Sequence, residues 1–222
     1  MKNIAIIAGG DSSEFPVSVN SAKTIRDHLN PDEYAVYMVV IQGKEWKIEI
    51  DGDHPVYINK DDFSCIHEGK KLLFDCAFIM IHGTPGENGL LQGYFETLRI
   101  PYTTCGVLSS SITFNKYFSK HYVSHFDVPT ARFFMLKQDE PYDPEQIIQH
   151  TGIPCFVKPN RGGSSFGVSK VIQRDELDEA INKAFAEDYE VLVEGFLEGM
   201  ELTCGLMKTP DQTLIFPPTE IV

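Results

Sequence analysis

The sequence predicts an α/β fold: a doubly wound first domain followed by an α+β domain. Three observations carry this. Near-continuous apolar runs at 3–8, 34–41 and 75–81 read as strands covered on both faces. Helical periodicity at 17–29 and 90–98, joined to the strands by glycine-rich turns, gives the β–turn–α alternation of a doubly wound sheet. Beyond residue 103 the pattern changes to a glycine-rich hairpin at 155–170, set among helices and single strands.

The first strand, 3–8, runs into Gly9-Gly10-Asp11-Ser12-Ser13-Glu14. A helix over 17–29 follows, with Val17, Ala22, Ile25 and Leu29 for its inner face, and Asn30-Pro31 ends it. No full G-x-G-x-x-G is present, so dinucleotide binding is not supported. Residues 46–50 and 56–58, split by Asp51-Gly52-Asp53, form a small hairpin; 59–71 are polar and signal no element. The strand at 75–81 ends in the loop 82–89, followed by a helix over 90–98. Ligands in such folds sit where strands end, so loops 9–16 and 82–89 line one crevice. Residues 100–102 are a short edge strand.

The second domain opens with one helix over 109–125, carrying Lys116 and Lys120. A strand at 132–136 and a helix at 143–150 that begins Asp-Pro come next. In the hairpin, the apolar run Cys155-Phe156-Val157 delivers Lys158 to a turn of three glycines and two serines, 161–167. Such a tip suits a lid over phosphates, with backbone N–H groups and hydroxyls as donors. A solvated surface hairpin is the other reading. An amphipathic helix at 175–187 turns Leu177, Ile181 and Ala184 inward, and the buried strand 191–194 ends in Glu194. Residues 201–207 and 213–216 are a strand pair, and 217–222 read as a strand with nothing to pair with.

With 222 residues and 42 % hydrophobic content the chain can build one large or two ordinary domains. No apolar stretch is long enough to span a bilayer. The five cysteines are scattered and form no C-x-x-C pair, so buried free thiols in a reducing cytosol are expected. A net charge of −13 repels nucleic acid and anionic membrane. A phosphate ligand must therefore be held by a few placed lysines and backbone donors. The P-loop, protein-kinase, zinc and G-x-S-x-G signatures are all absent.

What remains is a phosphate-type constellation. Lys116 lies on a helix and Lys158 leaves a buried strand, each either solvated or aimed at an anion. Glu194 beside Phe196-Leu197 either edges the core or holds a base, with Phe196 against its face. Glu14 in a crevice loop can fix an ammonium group, or be one acid among 32. His82 either caps a helix or lines the crevice.

Four stretches resemble one family. They are G-G-x-S-x-E-x-x-V-S-x-N-S at 9–21, H-G-x-x-G-E-N-G-x-L-Q-G at 82–93, V-K-P-N-R-G-G-S-S-x-G-V-S-K at 157–170 and V-L-V-E-G-F-L-E-G-x-E-L-T at 191–203. In this order they resemble the signatures of D-alanine–D-alanine ligases. The resemblance implies an ATP-grasp fold, with a Rossmann-like domain at 1–103, a central ATP-grasp domain at 104–197 and the start of a C-terminal domain at 198–222. It implies ATP and Mg²⁺ as cofactors, D-alanine as substrate and a D-alanyl phosphate intermediate in cell-wall synthesis. Glu14 would bind the ammonium of the first D-alanine, His82 would lie near its carboxylate, and Ser164 would link the lid to Glu14. Lys116 and Lys158 would contact phosphates, with Ser165 in the same nucleotide set. Glu194, Phe196, Leu197 and Glu201 would hold adenine and ribose. The family's Mg²⁺ carboxylates are expected beyond residue 222. The chain is then either a fragment of a longer ligase or a non-catalytic relative, and the unpaired strand at 217–222 favours the fragment. A D-alanine–D-lactate ligase differs mainly outside this chain. The family is cytoplasmic and usually homodimeric.

Overall fold

The structure is a computed structural model that describes residues 1–48 and 54–221. The first unit is built on β1 (Lys2–Gly9), α1 (Phe15–His28), β2 (Tyr34–Gln42), β3 (Glu45–Ile48) and β4 (Val56–Tyr57). A short hairpin follows, β5 (Cys65–His67) with β6 (Lys70–Leu72), then β7 (Cys76–Ile79) and α2 (Leu90–Leu98). The five-stranded sheet has the order β4-β3-β2-β1-β7, with β1 parallel to both β2 and β7. Strand alternation sends Ile4, Ile6 and Ala8 to the α1 face and Ala5 and Ile7 to the α2 face. Both faces are covered, as the unbroken apolar runs predict.

Three details differ from expectation here, and one expectation falls outside the described residues. Val17 is exposed, because α1 begins at Phe15 and its inward positions are Ser18 and Ala22, with Phe15, Val19, Ile25 and Leu29 beside them. Ser18 takes the central place by bonding: its Oγ accepts from Gly9 N at 2.9 Å and donates to Met80 O at 2.8 Å. The polar stretch 59–71 does form strands, the β5–β6 hairpin, pinned by Asp62 accepting from Ser64 Oγ at 2.7 Å. The segment 100–102 joins the sheet only through a bridge between Tyr102 and Ala77. The turn expected at Asp51-Gly52-Asp53 lies outside the described residues, although β3 and β4 pair antiparallel on either side of it.

The second unit comprises α3 (Val107–Phe114), α4 (Lys116–Ser124), β8 (Phe133–Lys137), α5 (Pro144–Thr151), β9 (Cys155–Pro159), β10 (Ser169–Val171), a 3₁₀ turn (Arg174–Glu176), α6 (Leu177–Phe185) and β11 (Glu190–Gly195). The sheet order is β10-β9-β11-β8, antiparallel throughout. Its core holds Cys155, Val157, Val191 and Val193 against Ile147 of α5 and Leu177 and Ile181 of α6. Each fully buried large aliphatic side chain there contributes about 1.5–3 kcal/mol. Period two then sends Phe156, Lys158, Leu192 and Glu194 to the opposite face. Register places Leu192 opposite Lys158 and Glu194 opposite Phe156, so Lys158 and Glu194 are diagonal neighbours.

The single helix expected over 109–125 is two helices. Asn115 has an extended backbone and caps α4, its side chain accepting from Phe118 N at 3.0 Å. The fully buried Asn160 takes up the orphan donors of α4: its carbonyl accepts from Lys116 N at 3.1 Å and its Oδ1 from Tyr117 N at 2.9 Å. The last segment carries β12 (Leu202–Thr203), β13 (Leu206–Lys208), β14 (Thr213–Ile215) and β15 (Thr219–Glu220). β13 pairs with β14 as expected, but the stretch 201–207 breaks between β12 and β13. The terminal strand is not orphaned either: β15 pairs antiparallel with β12. The cysteines are all free, yet only Cys65 and Cys155 are buried; Cys105 and Cys204 are exposed, against the expectation of buried thiols.

Candidate active site

The loops at the ends of β1 and β7 meet, as their topology requires. Asp11 N donates to Thr84 O at 2.8 Å and Ser12 Oγ to His82 O at 3.1 Å. Glu14 sits where the first loop enters α1 and is 3 % exposed. Its Oε1 accepts from Ser164 Oγ at 2.6 Å, across 150 residues of sequence. Its Oε2 has no hydrogen-bond partner among the described residues. Two glycines leave room for this carboxylate: a Cβ at Gly163 would lie 3.1 Å from Oε1, and one at Gly83 would lie 3.2 Å from Oε2. An ionised oxygen buried with no donor is costly unless a ligand supplies one. His82 stands beside this crevice with Nε2 3.4 Å from Ser21 Oγ. It caps no helix; Gly89 holds that position for α2.

The hairpin between β9 and β10 lies over the junction of the two units. Ser164 and Ser165 both have positive φ, 46° and 60°, which turns the tip sharply at a cost of order 1–3 kcal/mol each. Surrounding bonds hold it. Lys116 Nζ donates to Gly162 O at 2.9 Å. Arg161 grips Asp188 through its backbone N at 2.7 Å and its Nη2 at 2.7 Å, and donates through Nη1 to Tyr189 OH at 2.8 Å. Ser13 Oγ, from the first loop, donates to Glu187 Oε2 at 2.9 Å, and the Glu187 side chain packs beside Gly167.

Two cavities share this hairpin as a wall. The smaller, about 540 Å³, is lined by Glu14, Ser12, Gly83, Thr84 and Gly163. The larger, about 820 Å³, is lined by Lys116, Lys158, Ser165, Glu194, Phe196, Leu197 and Glu201, and by Ser164 at the hairpin tip. The structure thus gathers every residue of the expected nucleotide set on one cleft. Glu194 is more engaged than the sequence suggests. Its Oε2 pairs with Lys158, and its Oε1 lies 2.9 Å from Lys120 Nζ. Burial pushes its carboxyl up, but Lys158 and Lys120 outweigh this and hold it below the ordinary value. Burial, then the charge of Lys158, lowers the Lys116 ammonium. Phe196 stands 6.1 Å from Phe156, ring to ring, with Lys170 Nζ 4.3 Å from its centroid. Lys120, which the sequence places on the same helix as Lys116 without giving it a role, lines this cleft too. The available signal was its spacing of four from Lys116, which puts both ammonium groups on one helix face.

Comparison with known proteins fits this geometry. The family model for the D-ala D-ala ligase N-terminus matches residues 3–105, and that for the D-ala D-ala ligase C-terminus matches 122–222. A D-alanine--D-alanine ligase of Bacteroides fragilis is 45 % identical over 221 residues, covering 100 % of this chain and 68 % of the relative. The chain belongs to the D-alanine–D-alanine ligase family. The D-alanine--D-alanine ligase of Azobacteroides pseudotrichonymphae is 49 % identical, with 100 % of this chain and 69 % of the relative covered. Among solved structures, D-alanyl-alanine synthetase A of Vibrio cholerae superposes with a TM-score of 0.87 at 31 % identity, over 100 % of this ligase chain and 68 % of its own. The D-Ala:D-Ser ligase VanG of Enterococcus faecalis gives 0.81 at 30 %, over 99 % and 69 %. A Bacillus anthracis D-alanine--D-alanine ligase complexed with ATP gives 0.71 at 29 %, over 92 % and 62 %. The chain spans about two thirds of the length of these relatives. Membership of this ligase family decides for an enzyme over a non-catalytic binding relative.

Proposed function

We propose that this ligase joins two D-alanine molecules at the expense of ATP, with the smaller cavity taking the first D-alanine and the larger the nucleotide. The observation that carries this is the Ser164–Glu14 hydrogen bond, which ties the tip of a donor-rich hairpin to the crevice carboxylate whose other oxygen has no partner among the described residues. Glu14 would accept the ammonium of the first D-alanine through its free Oε2, and His82 would lie toward its carboxylate. Lys116 and Lys158 would neutralise phosphate charge, with Ser165 donating alongside. Glu194, Phe196, Leu197 and Glu201 would hold base and ribose.

The chemistry balances in two steps. A carboxylate oxygen of the first D-alanine attacks the γ-phosphorus; an O–P bond forms and the bond to ADP breaks. The ammonium of the second D-alanine gives one proton to solvent and its amine attacks the acyl carbon; the C–N bond forms, the C–O bond to phosphate breaks, and the nitrogen's surplus proton leaves with the phosphate. The hairpin excludes water, which would hydrolyse the acyl phosphate. Among the described residues no group of three or more His, Cys, Asp or Glu side chains lies together to hold a metal, so the Mg²⁺ of this reading is assigned no residue and no step. We read the chain as three units, 1–103, 104–197 and 198–222, and place the protein in the cytoplasm as a homodimer; the free cysteines support a reducing compartment.

The test is product analysis with the ligase, ATP and D-alanine, with D-lactate offered in competition. D-Alanyl-D-alanine as main product, with phosphate release that requires D-alanine, is expected. A depsipeptide as main product, or phosphate release indifferent to D-alanine, overturns the reading.

A further inference from the structure

Glu194 is shared between two cations from different elements, and they are not equivalent. Lys158 comes from β9 and lines the larger cavity together with Ser164 and Ser165. Lys120 comes from α4; its Nζ lies 5.5 Å from the Phe133 ring centroid and 2.9 Å from Glu194 Oε1, and its side chain is 18 % exposed. Among the described ion pairs, Glu194 is the sole carboxylate partner of Lys120. A polyphosphate carries more charge than one carboxylate, so it draws Lys158 off Glu194. Lys120 would then be left holding Oε1, with Oε2 open to the cleft.

An ionised carboxylate only accepts hydrogen bonds. In that state Glu194 suits a base edge that donates, such as the amino group of a 6-aminopurine, and repels a 6-oxo purine whose oxygen would face it. Take Lys120 away and the balance changes. A carboxyl buried with only a departing partner favours its neutral form, which donates as well as accepts, and a 6-oxo edge becomes tolerable.

We propose that Lys120 is a positioning residue for nucleobase selection: by holding Glu194 Oε1 it presents Oε2 to the cleft as an acceptor, so that the cleft takes a 6-amino purine nucleotide and rejects a 6-oxo one. This rests on the larger cavity being the nucleotide site.

The experiment is calorimetric titration of ADP and of IDP into the wild-type ligase and into Lys120→Met, Lys120→Gln and Lys120→Arg. Methionine keeps the packing on Phe133 and removes the charge. Wild type should prefer ADP. That preference should narrow by roughly tenfold or more in Lys120→Met, as expected for loss of one charge-assisted acceptor. Lys120→Arg should retain most of it, and Lys120→Gln should fall between. A uniform loss of affinity for both nucleotides, with the ADP-to-IDP ratio unchanged, overturns the proposal and leaves Lys120 as general positive charge. If Lys120→Met does not fold, a wild-type ratio in Lys120→Gln overturns it equally. Failure of the wild type to bind ADP removes the nucleotide reading itself, a result distinct from an unchanged ratio.

Discussion

Ser164 and Glu14 come from different units and share a hydrogen bond of 2.6 Å, while the second oxygen of Glu14 has no partner among the described residues. The hydroxyl therefore fixes how the carboxylate faces the crevice. Ser164→Ala should lower kcat and raise the KM for the first D-alanine; Glu14→Gln should do both more strongly, because it removes the charge partner of the ammonium. The two changes break one network, so a double-mutant cycle on kcat/KM should show coupling of about 1–3 kcal/mol. Strict additivity would make Ser164 an ordinary turn residue.

Gly163 tests the same contact by size alone. A Cβ there would come within 3.1 Å of Glu14 Oε1. Gly163→Ala should weaken D-alanine binding several-fold, about 1 kcal/mol by the cost of modest overpacking, with nucleotide affinity less affected. Equal losses for both ligands in calorimetry would show that the hairpin as a whole has been displaced.

Lys158 is the cation expected to change partners. Lys158→Ala should weaken nucleotide binding by about 1.5–3 kcal/mol, the range for hydrogen bonds to charged groups, and D-alanine binding by much less. Parallel losses would place Lys158 outside the nucleotide site.

Glu194 sets a pH dependence. Its folded carboxyl titrates below the ordinary value of 4.5, burial being outweighed by Lys158 and Lys120. A depressed folded value gives stability that is present above the unfolded value and is lost as pH falls through the folded one. Denaturation midpoints should therefore drop below about pH 4.5, and part of that drop should vanish in Glu194→Gln. An acid limb identical in the variant would contradict the assignment.

Arg161 anchors the hairpin stem. Burial opposes its charge, but Asp188 and Tyr189 outweigh it and raise the guanidinium further above its usual range. The Asp188 side chain is 5 % exposed, so Arg161→Met removes its cation and leaves it only the backbone N–H groups of Arg161 and Glu190, which should cost about 3 kcal/mol in urea denaturation. The double variant Arg161→Met, Asp188→Asn should recover part of this, because the amide carries no charge and its oxygen still accepts from a backbone N–H of the stem. No recovery would mean that the loss lies in the backbone turn.

Much of this was legible in the sequence because the signals are local. The strand runs around Ile6, Val39 and Ala77, and the boundaries of α2 from Leu90 to Leu98, follow from periodicity. The cleft set around Lys158 and Glu194 came from the family resemblance, and register then brought them together. What stayed hidden depends on distant partners. The break before Lys116 needs Asn160, 45 residues away from Asn115, to receive the first donors of α4. Ser18 can face inward only because the carbonyl of Met80 waits for it. β15 looked unpaired because its partner, β12, is only two residues long. The share of Lys120 in Glu194 depends on how α4 is docked, which no spacing within the helix reports.

The hairpin wall common to the two cavities makes their occupants answerable to each other. A nucleotide that steadies the tip from one side leaves less motion to be quenched when D-alanine enters on the other. The two affinities then rise together, and linkage requires the same factor in both directions. The gain should disappear when Ser164 no longer reaches Glu14, even though neither cavity has lost a wall.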